Sequence, residues 1–260
     1  MSTPITAELV KQLRDATGVS VMQCKNALTE ADGDMEKALI ILKQKSSSIA
    51  MKKADREAHD GTIIVASGAG KSILLTLHSE TDFVAKNSDF TTLADKLAHI
   101  ALEKGVEAMK DESANMINEV VQKVGEKIEL GTVEEITGTT IGAYVHAGKS
   151  AVVVSLTGGT EELAKDVAMH IAAMKAVYKT SADITDAEKA KVQDVIEKEV
   201  AEVDKPEEIK KKMLEGKIGT YFKEQTLMDQ SFIKNPDITV GTLLANAGAS
   251  LVRFTRAMIG

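Results

Sequence analysis

The sequence contains an internal repeat, and this repeat limits the folds that the chain can adopt. The tetrapeptide Ala-Gly-Lys-Ser occurs at residues 69–72 and again at residues 147–150. Each occurrence lies between two runs of apolar or β-branched residues, a pattern typical of a β-hairpin. A run with helical spacing follows each hairpin and contains Leu-Ala, at residues 93–94 and 163–164. The repeat therefore predicts an α+β fold with two related subdomains, each a β-hairpin followed by a helix.

Three short helices are predicted before the first hairpin. Thr6 and Ser20 stand where N-cap residues are expected, and Gly33-Asp34 opens the third helix, each ahead of an apolar pattern with helical spacing. The residues of the second helix that are expected to face inward are Val21, Cys24, Ala27 and Leu28. Because Cys24 lies on this apolar stripe, we expect a small core residue rather than a nucleophile.

The segment 45–60 differs in composition from its neighbours. Basic residues surround the run Ser46-Ser47-Ser48, and a continuous apolar pattern is lacking. This favours a basic linker, either a solvated tether or a contact strip for an acidic partner. The predicted domains are a three-helix domain at 1–44, this linker at 45–60, a first core subdomain at 61–138 and a second at 139–260.

A pair of helices is predicted at about 184–229, within the second subdomain. Apolar residues at helical spacing lie on both sides of Asp204-Lys205-Pro206. Pro206 suits the first turn of a new helix. Two helices joined by so short a turn must run antiparallel, which predicts an inserted helical hairpin of the coiled-coil type.

Composition and charge exclude several classes of function. The net charge of -7 and the aromatic content of 3%, without tryptophan, disfavour direct nucleic-acid binding. A single cysteine excludes an internal disulfide and a cysteine-rich zinc site. Residues 1–6 do not resemble a signal peptide, and no apolar run approaches the ~20 residues of a membrane span. We therefore expect a cytoplasmic protein that does not bind membranes directly.

No pattern of residues indicates an enzyme. The segment Gly68-Ala69-Gly70-Lys71-Ser72 resembles part of a P-loop, but Val65 stands where the first glycine is required and strand-type residues follow. The five histidines lack metal-ligand spacing. We expect no catalytic residues, no metal and no cofactor.

The segment 78–87 is the most unusual in the chain, and the pattern alone leaves two interpretations open. It follows an apolar strand and precedes a helix that starts near Asp89. In the structural interpretation, Thr81 or Asp82 caps a helix and Phe83 belongs to the core. In the functional interpretation, the segment contacts another protein.

A resemblance along the whole chain favours the functional interpretation. The run Thr81-Asp82-Phe83-Val84-Ala85-Lys86-Asn87 resembles the signature of bacterial translation elongation factor Ts. The other segments that resemble this family occur in the family's order: Thr17-Gly18, Cys24-Lys25, Ala27-Leu28-Thr29-Glu30-Ala31, Gly33-Asp34, Val124-Gly125-Glu126, Ala168-Met169-His170-Ile171-Ala172, Lys205-Pro206-Glu207, Met213, Glu215-Gly216, Thr239-Val240-Gly241 and Arg253-Phe254.

The resemblance implies a guanine-nucleotide exchange factor for the GTPase elongation factor Tu, acting in translation elongation without a chemical active site. It also implies that the three-helix domain resembles a ubiquitin-associated domain. The residues implied to dislocate Mg²⁺ from the partner are Thr81, Asp82, Phe83 and Val84, with Phe83 as the wedge. Further implied partner contacts are Lys25, Lys53, Val124, Gly125 and His146. The helical hairpin is expected to hold the partner or a second copy of the chain, which would give a homodimer and a 2:2 complex.

Overall fold

The computed structural model describes residues 4–260, so residues 1–3, part of the segment considered for a signal peptide, lie outside the described residues. The described chain is mixed α/β, with ten α-helices and eight strands in small sheets. The predicted combination of helices with small sheets is confirmed. The chain divides into two compact units, the first made of residues 4–66, 73–135 and 257–260 and the second of residues 67–72 and 136–256.

The first unit begins with three helices, α1 (Ala7–Thr17), α2 (Val21–Glu30) and α3 (Met35–Met51). The side chains of Thr6, Ser20 and Asp34 accept hydrogen bonds from backbone N–H groups in the first turns, as N-caps do. Residues of the three helices and of their connections form a small buried core: Val10, Leu13, Val19, Cys24, Ala27, Leu28, Ala31, Ala38 and Leu42. Cys24 is therefore a core residue, as its place in the apolar stripe indicates.

Two expectations for this region need correction. The sequence predicts a linker from residue 45, but α3 continues to Met51, because Ile49 and Ala50 pack against the next hydrophobic core. Val21 was expected to face inward, yet its side chain is 54% exposed. As the first residue of α2, Val21 precedes the turn that packs on the other helices.

The remainder of the first unit packs helices on a three-stranded sheet. Its strands are β1 (Asp60–Gly68), β2 (Lys71–Ser79) and β3 (Ile128–Thr137), in the order β1-β2-β3. Its helices are α4 (Asp82–Ala85), α5 (Ser88–Lys104) and α6 (Val106–Val124). Apolar residues of β2, α5 and α6 form the core, including Leu75, Leu77, Phe90, Leu97, Met109 and Val121. This arrangement places the end of β2 beside the connection from α6 to β3.

The second unit contains the second hairpin and its helix. Strands β4 (Thr140–His146) and β5 (Ser150–Thr157) pair antiparallel, and α7 (Glu161–Met174) packs on them. The unit also contains α8 (Asp186–Ala201), α9 (Glu207–Gln225), β6 (Ser231–Phe232), β7 (Asn235–Thr239), α10 (Val240–Asn246) and β8 (Ser250–Met258). Strand β8 joins the sheet in the order β4-β5-β8. We call β1, β2 and α5 the first repeat, and β4, β5 and α7 the second repeat.

The repeated tetrapeptide forms a strand-to-strand turn in both repeats. Ala69 and Gly70 have φ values of 37° and 75°, and Ala147 and Gly148 have φ values of 50° and 67°. Two successive residues with positive φ are what tight hairpin turns require. A strand follows each turn, whereas a P-loop leads into a helix, so these segments do not have the setting of a nucleotide-binding loop.

Helices α8 and α9 run antiparallel and contact each other. Lys217 Nζ lies 3.0 Å from Glu199 Oε2, and Lys210 Nζ donates to the Ala201 carbonyl at 3.1 Å. The connection at 202–206 is short, and Pro206 immediately precedes α9. Within residues 4–260, the structure has no helix that is both long and apolar enough to span a membrane.

A fully buried histidine near the C-terminal end of α7 forms hydrogen bonds with the segment after α9. The Nε2 of His170 lies 2.9 Å from Gln230 Oε1, and its Nδ1 accepts from the Ile233 N–H at 3.2 Å. Because Nδ1 accepts a hydrogen bond, the ring must be neutral, with its proton on Nε2. Burial lowers the pKa of His170 below its ordinary value, and the hydrogen bond with Gln230 opposes this in part.

Candidate functional site

A single turn of helix interrupts the path from β2 to α5. Strand β2 ends at Ser79, and Thr81 is the N-cap of α4, with its hydroxyl accepting from the Val84 N–H at 3.4 Å. The helix ends at Ala85, and Asn87 then caps α5 through the Asp89 N–H at 2.8 Å. We call residues 80–87 the α4 loop. Both ends of this loop are capped, so its backbone has a defined conformation.

The α4 loop buries two apolar side chains and exposes a third. Val84 and Ala85 belong to the core of the first unit. Phe83 is 83% exposed, whereas Phe90 of α5 is 0% exposed. The structural interpretation was right that Thr81 is a cap and wrong that Phe83 is a core residue. The aromatic ring of Phe83 therefore lies in solvent rather than in the core.

The carboxylate of Glu126 holds the start of the α4 loop. Its Oε2 accepts from the Thr81 N–H at 3.0 Å, and its Oε1 accepts from the Thr81 hydroxyl at 2.8 Å. The buried hydroxyl of Ser79 donates to the Thr81 carbonyl at 2.9 Å. Hydrogen bonds to an ionised carboxylate are about twice as strong as neutral ones. Thr81 is thus fixed through its N–H, its carbonyl and its hydroxyl.

A second carboxylate fixes the preceding residue. Glu80 accepts from the Lys127 N–H at 2.6 Å, and Arg56 Nη1 lies 3.2 Å from each of its carboxylate oxygens. The Lys127 N–H, and then the Arg56 guanidinium, lower the pKa of Glu80 below its ordinary value, although burial opposes this. The carboxylate of Glu80 therefore remains charged at neutral pH and connects three segments of the chain.

The exposed face of α4 carries an ion pair beside Phe83. Lys86 Nζ lies 2.7 Å from Asp82 Oδ2, at the i,i+4 spacing that is favourable on a helix. The hydrogen bond with Asp82 raises the pKa of Lys86 above its ordinary value. Because both side chains are largely exposed, the pair stabilises the fold little. Both groups remain accessible to a partner.

Two further predicted contact regions meet close to the α4 loop. Lys53 Nζ donates to the carbonyl of Gly125. Gly125 ends α6 with a φ of 79°, the left-handed conformation that favours glycine at a helix C-terminus. The next residue is Glu126, which holds Thr81. Lys53, Val124 and Gly125 therefore adjoin the α4 loop through these contacts.

The other two predicted contact residues lie elsewhere. Lys25 lies on the exposed surface of α2, near Val21 and Met22, which are also exposed. His146 ends β4 in the second unit, where its Nδ1 lies 3.2 Å from the Tyr144 hydroxyl and the two rings stack.

The residues that hold the loop were not selected from the sequence. In the sequence, Glu126 belongs to a family motif and Arg56 to a basic segment, and neither pattern indicates an anchor of the loop. Each lies far along the chain from its partner, so no helical or strand periodicity relates the two. Within residues 4–260, no group of three His, Cys, Asp or Glu side chains could hold a metal ion.

Phe83 is thus exposed on a turn that hydrogen bonds hold in place. The family model of elongation factor Ts matches residues 80–260, starting at the first residue of the α4 loop. The chain belongs to the elongation factor Ts family. Members of the elongation factor Ts family promote nucleotide exchange on elongation factor Tu during translation elongation, and they act as exchange factors rather than as enzymes in the usual sense.

Proposed function

We propose that Phe83 of the α4 loop wedges into the GTPase domain of elongation factor Tu and thereby promotes GDP release. The observation that carries this proposal is the exposure of Phe83, 83%, on a turn whose neighbours are buried or hydrogen-bonded. A side chain of this size gains about 1.5–3 kcal/mol when it moves from water into an apolar pocket. That free energy is available for stabilising a partner conformation.

The wedge acts through the Mg²⁺ ion and the phosphate contacts of the partner. In GTPases, Mg²⁺ and the phosphate-binding loop supply much of the hold on the nucleotide. A protein that binds better to a conformation with these contacts loosened shifts the GTPase towards that conformation, and GDP leaves faster. Asp82 accompanies Phe83 into the partner, while Thr81 and Val84 fix the loop. This chain remains bound until GTP enters.

Linkage makes the effect reciprocal. If this chain weakens nucleotide binding by some factor, the nucleotide weakens the binding of this chain by the same factor. Coupling free energies of about 1–3 kcal/mol are typical of such systems. Entry of GTP therefore displaces the exchange factor, and the factor is recovered without any bond being made or broken.

Further contacts to the partner are proposed at Lys25, Lys53, Val124, Gly125 and His146. The proximity of Lys53 and Gly125 to the α4 loop supports a contribution of these two residues to partner binding. For Lys25, the neighbouring exposed apolar residues Val21 and Met22 support a docking surface on the three-helix domain. We propose that this domain resembles a ubiquitin-associated domain. Antiparallel α8 and α9 form the proposed coiled-coil hairpin, which holds the partner or a second copy of this chain in a 2:2 complex.

The proposed place of action is the cytoplasm, where translation elongation occurs. The proposal includes no cofactor, no membrane contact and no direct contact with nucleic acid. The overall charge of -7 supports the last of these, since binding to phosphates requires clustered cations.

Release of fluorescent GDP from elongation factor Tu tests the proposal. The GTPase is loaded with the labelled nucleotide, excess unlabelled GDP is added, and release is followed with and without this chain. We expect acceleration that grows with the concentration of this chain and saturates. An adapter protein would bind without accelerating release, and a nucleotide-hydrolysing enzyme would turn over nucleotide without the partner. No acceleration at micromolar concentrations would contradict the proposal.

A further inference from the structure

The orientation of Phe83 depends on a contact from outside its own segment. A helix of four residues is not stable by itself, because helix nucleation is unfavourable. The cap of α4 is Thr81, and both donor groups of Thr81 are bound by the Glu126 carboxylate, at 3.0 and 2.8 Å. The position of Phe83, two residues after the cap, is therefore determined in part by Glu126.

We propose that Glu126 is a positioning residue for nucleotide exchange, which holds Thr81 so that α4 presents Phe83 to the partner. This inference rests on the proposed function and adds a residue to it. Glu126 itself is half-buried at the start of the α6–β3 connection and contacts the loop. Its effect on exchange reaches the partner through Thr81 and Phe83.

A carboxylate suits this task better than the other side chains of similar size. Thr81 presents two donors, its N–H and its hydroxyl, and an ionised carboxylate offers two acceptor oxygens. A glutamine keeps one acceptor oxygen and presents an NH₂ group in place of the other. Because the Thr81 hydroxyl can also accept, glutamine retains part of the arrangement, whereas alanine retains none of it.

The expected effect is on the fraction of molecules with a competent loop. When only a fraction of the molecules can bind, the apparent Kd rises in inverse proportion to that fraction. If the loop of Glu126→Ala is competent about one tenth of the time, the apparent Kd for the GTPase rises about tenfold. The maximal rate of GDP release at saturating factor stays close to that of the unmodified chain, because Phe83 is still present.

A double-mutant cycle separates positioning from a general structural role. The full chain is compared with Glu126→Ala, Phe83→Ala and the double variant, using the Kd for nucleotide-free elongation factor Tu and the saturating rate of GDP release. We expect Glu126→Ala to weaken binding about tenfold in the unmodified chain but less than about threefold beside Phe83→Ala, since coupled residues are not additive. Glu126→Gln should lie between alanine and the unmodified chain. The matched control is Glu107→Ala, which removes an exposed carboxylate from the other end of α6.

Amide hydrogen exchange in the free protein adds a measurement that needs no partner. The Thr81 and Val84 N–H groups should exchange at least about tenfold faster in Glu126→Ala, since the opened loop exposes them to water. An unchanged Kd, an equal effect of Glu126→Ala in both backgrounds, or an unchanged Thr81 amide would each overturn the positioning role while leaving the proposed function intact. If the unmodified chain neither binds the GTPase nor accelerates release, the proposed function itself fails.

Discussion

The first and second repeats have the same elements but differ in the connection from strand to helix. In the second repeat, residues 158–160 join β5 to α7, and Thr160 caps α7 directly through the Leu163 N–H at 3.2 Å. In the first repeat, residues 80–87 join β2 to α5 and form α4 on the way. The short connection shows that the fold can pass from strand to helix without an extra turn. The longer one carries Phe83.

The two connections also differ in what holds them. Residues from two other segments, Arg56 and Glu126, bind the α4 loop through their side chains. At the second connection, the chain turns through the left-handed Gly158 and Gly159, with φ values of 75° and 70°, before Thr160 caps α7. The second connection thus joins a strand to a helix through a short glycine turn. The first connection is longer, is held by the side chains of Arg56 and Glu126, and carries the exposed Phe83.

The largest effect is expected when the first connection is made like the second. Replacing residues 80–87 with the sequence Gly-Gly-Thr removes α4 together with Phe83. We expect GDP release from elongation factor Tu to fall to the rate without any factor. Circular dichroism checks that the other helices are retained, because the replacement also removes Val84 and Ala85 from the core. Acceleration that survives this replacement would show that the function does not reside in the difference between the repeats.

The two threonine caps provide a matched pair of smaller changes. Loss of an N-cap costs about 1 kcal/mol of stability, so Thr160→Ala should lower the free energy of unfolding by that amount and leave exchange unchanged. Thr81→Ala also removes the hydroxyl bond to Glu126 while the backbone N–H bond remains, and we expect it to weaken binding to the GTPase by up to about tenfold. Chemical denaturation and the GDP-release assay measure the two effects. An equal loss of GDP release in both variants would show that Thr81 has no role in nucleotide exchange that Thr160 lacks.

The helices of the two repeats should respond differently to acid. When the Leu-Ala pairs at 93–94 and 163–164 are aligned, Ile100 of α5 is the position equivalent to His170 of α7. The folded pKa of His170 lies below its ordinary value of 6.5, so the unfolded chain binds more protons as the pH falls below 6.5. The free energy of unfolding should therefore not depend on His170 above pH 6.5. It should decrease as the pH falls from 6.5 towards the folded pKa of His170.

Urea denaturation between pH 5 and pH 7 measures this dependence. His170→Gln should reduce the slope of the unfolding free energy against pH by up to about 1.4 kcal/mol per pH unit. An equal slope with and without the substitution would contradict a neutral, buried His170.

The smallest effect is expected at the two hairpin turns, where the repeats are alike. Asparagine adopts positive φ more readily than alanine and is favoured before glycine in such turns. Ala69→Asn and Ala147→Asn should therefore each raise the free energy of unfolding by about 0.5 kcal/mol, with exchange unchanged. Loss of exchange in either variant would indicate that the repeated tetrapeptide has a function beyond turning the chain.

The sequence predicted the elements that depend on local patterns of residues. The repeat predicted both hairpins and their helices, and Thr6, Ser20 and Asp34 marked the helix starts. The continuation of α3 to Met51 was missed, because Ile49 and Ala50 are ordered by a core that forms from distant segments. The exposure of Phe83 was undecided by pattern, since an apolar residue near a helix start suits both core and surface. Glu126 was missed as an anchor because its partner is remote in the sequence.

The saturating rate of GDP release with Phe83→Ala tests the central claim most directly. We predict that this rate falls at least about tenfold, which corresponds to ~1.4 kcal/mol, and that Tm is nearly unchanged because the side chain is 83% exposed. Val252→Ala, which shortens another exposed apolar residue, should match the unmodified chain. A saturating rate equal to that of the unmodified chain would contradict the role of Phe83 as the wedge, and a large fall in Tm would show that Phe83 supports the fold.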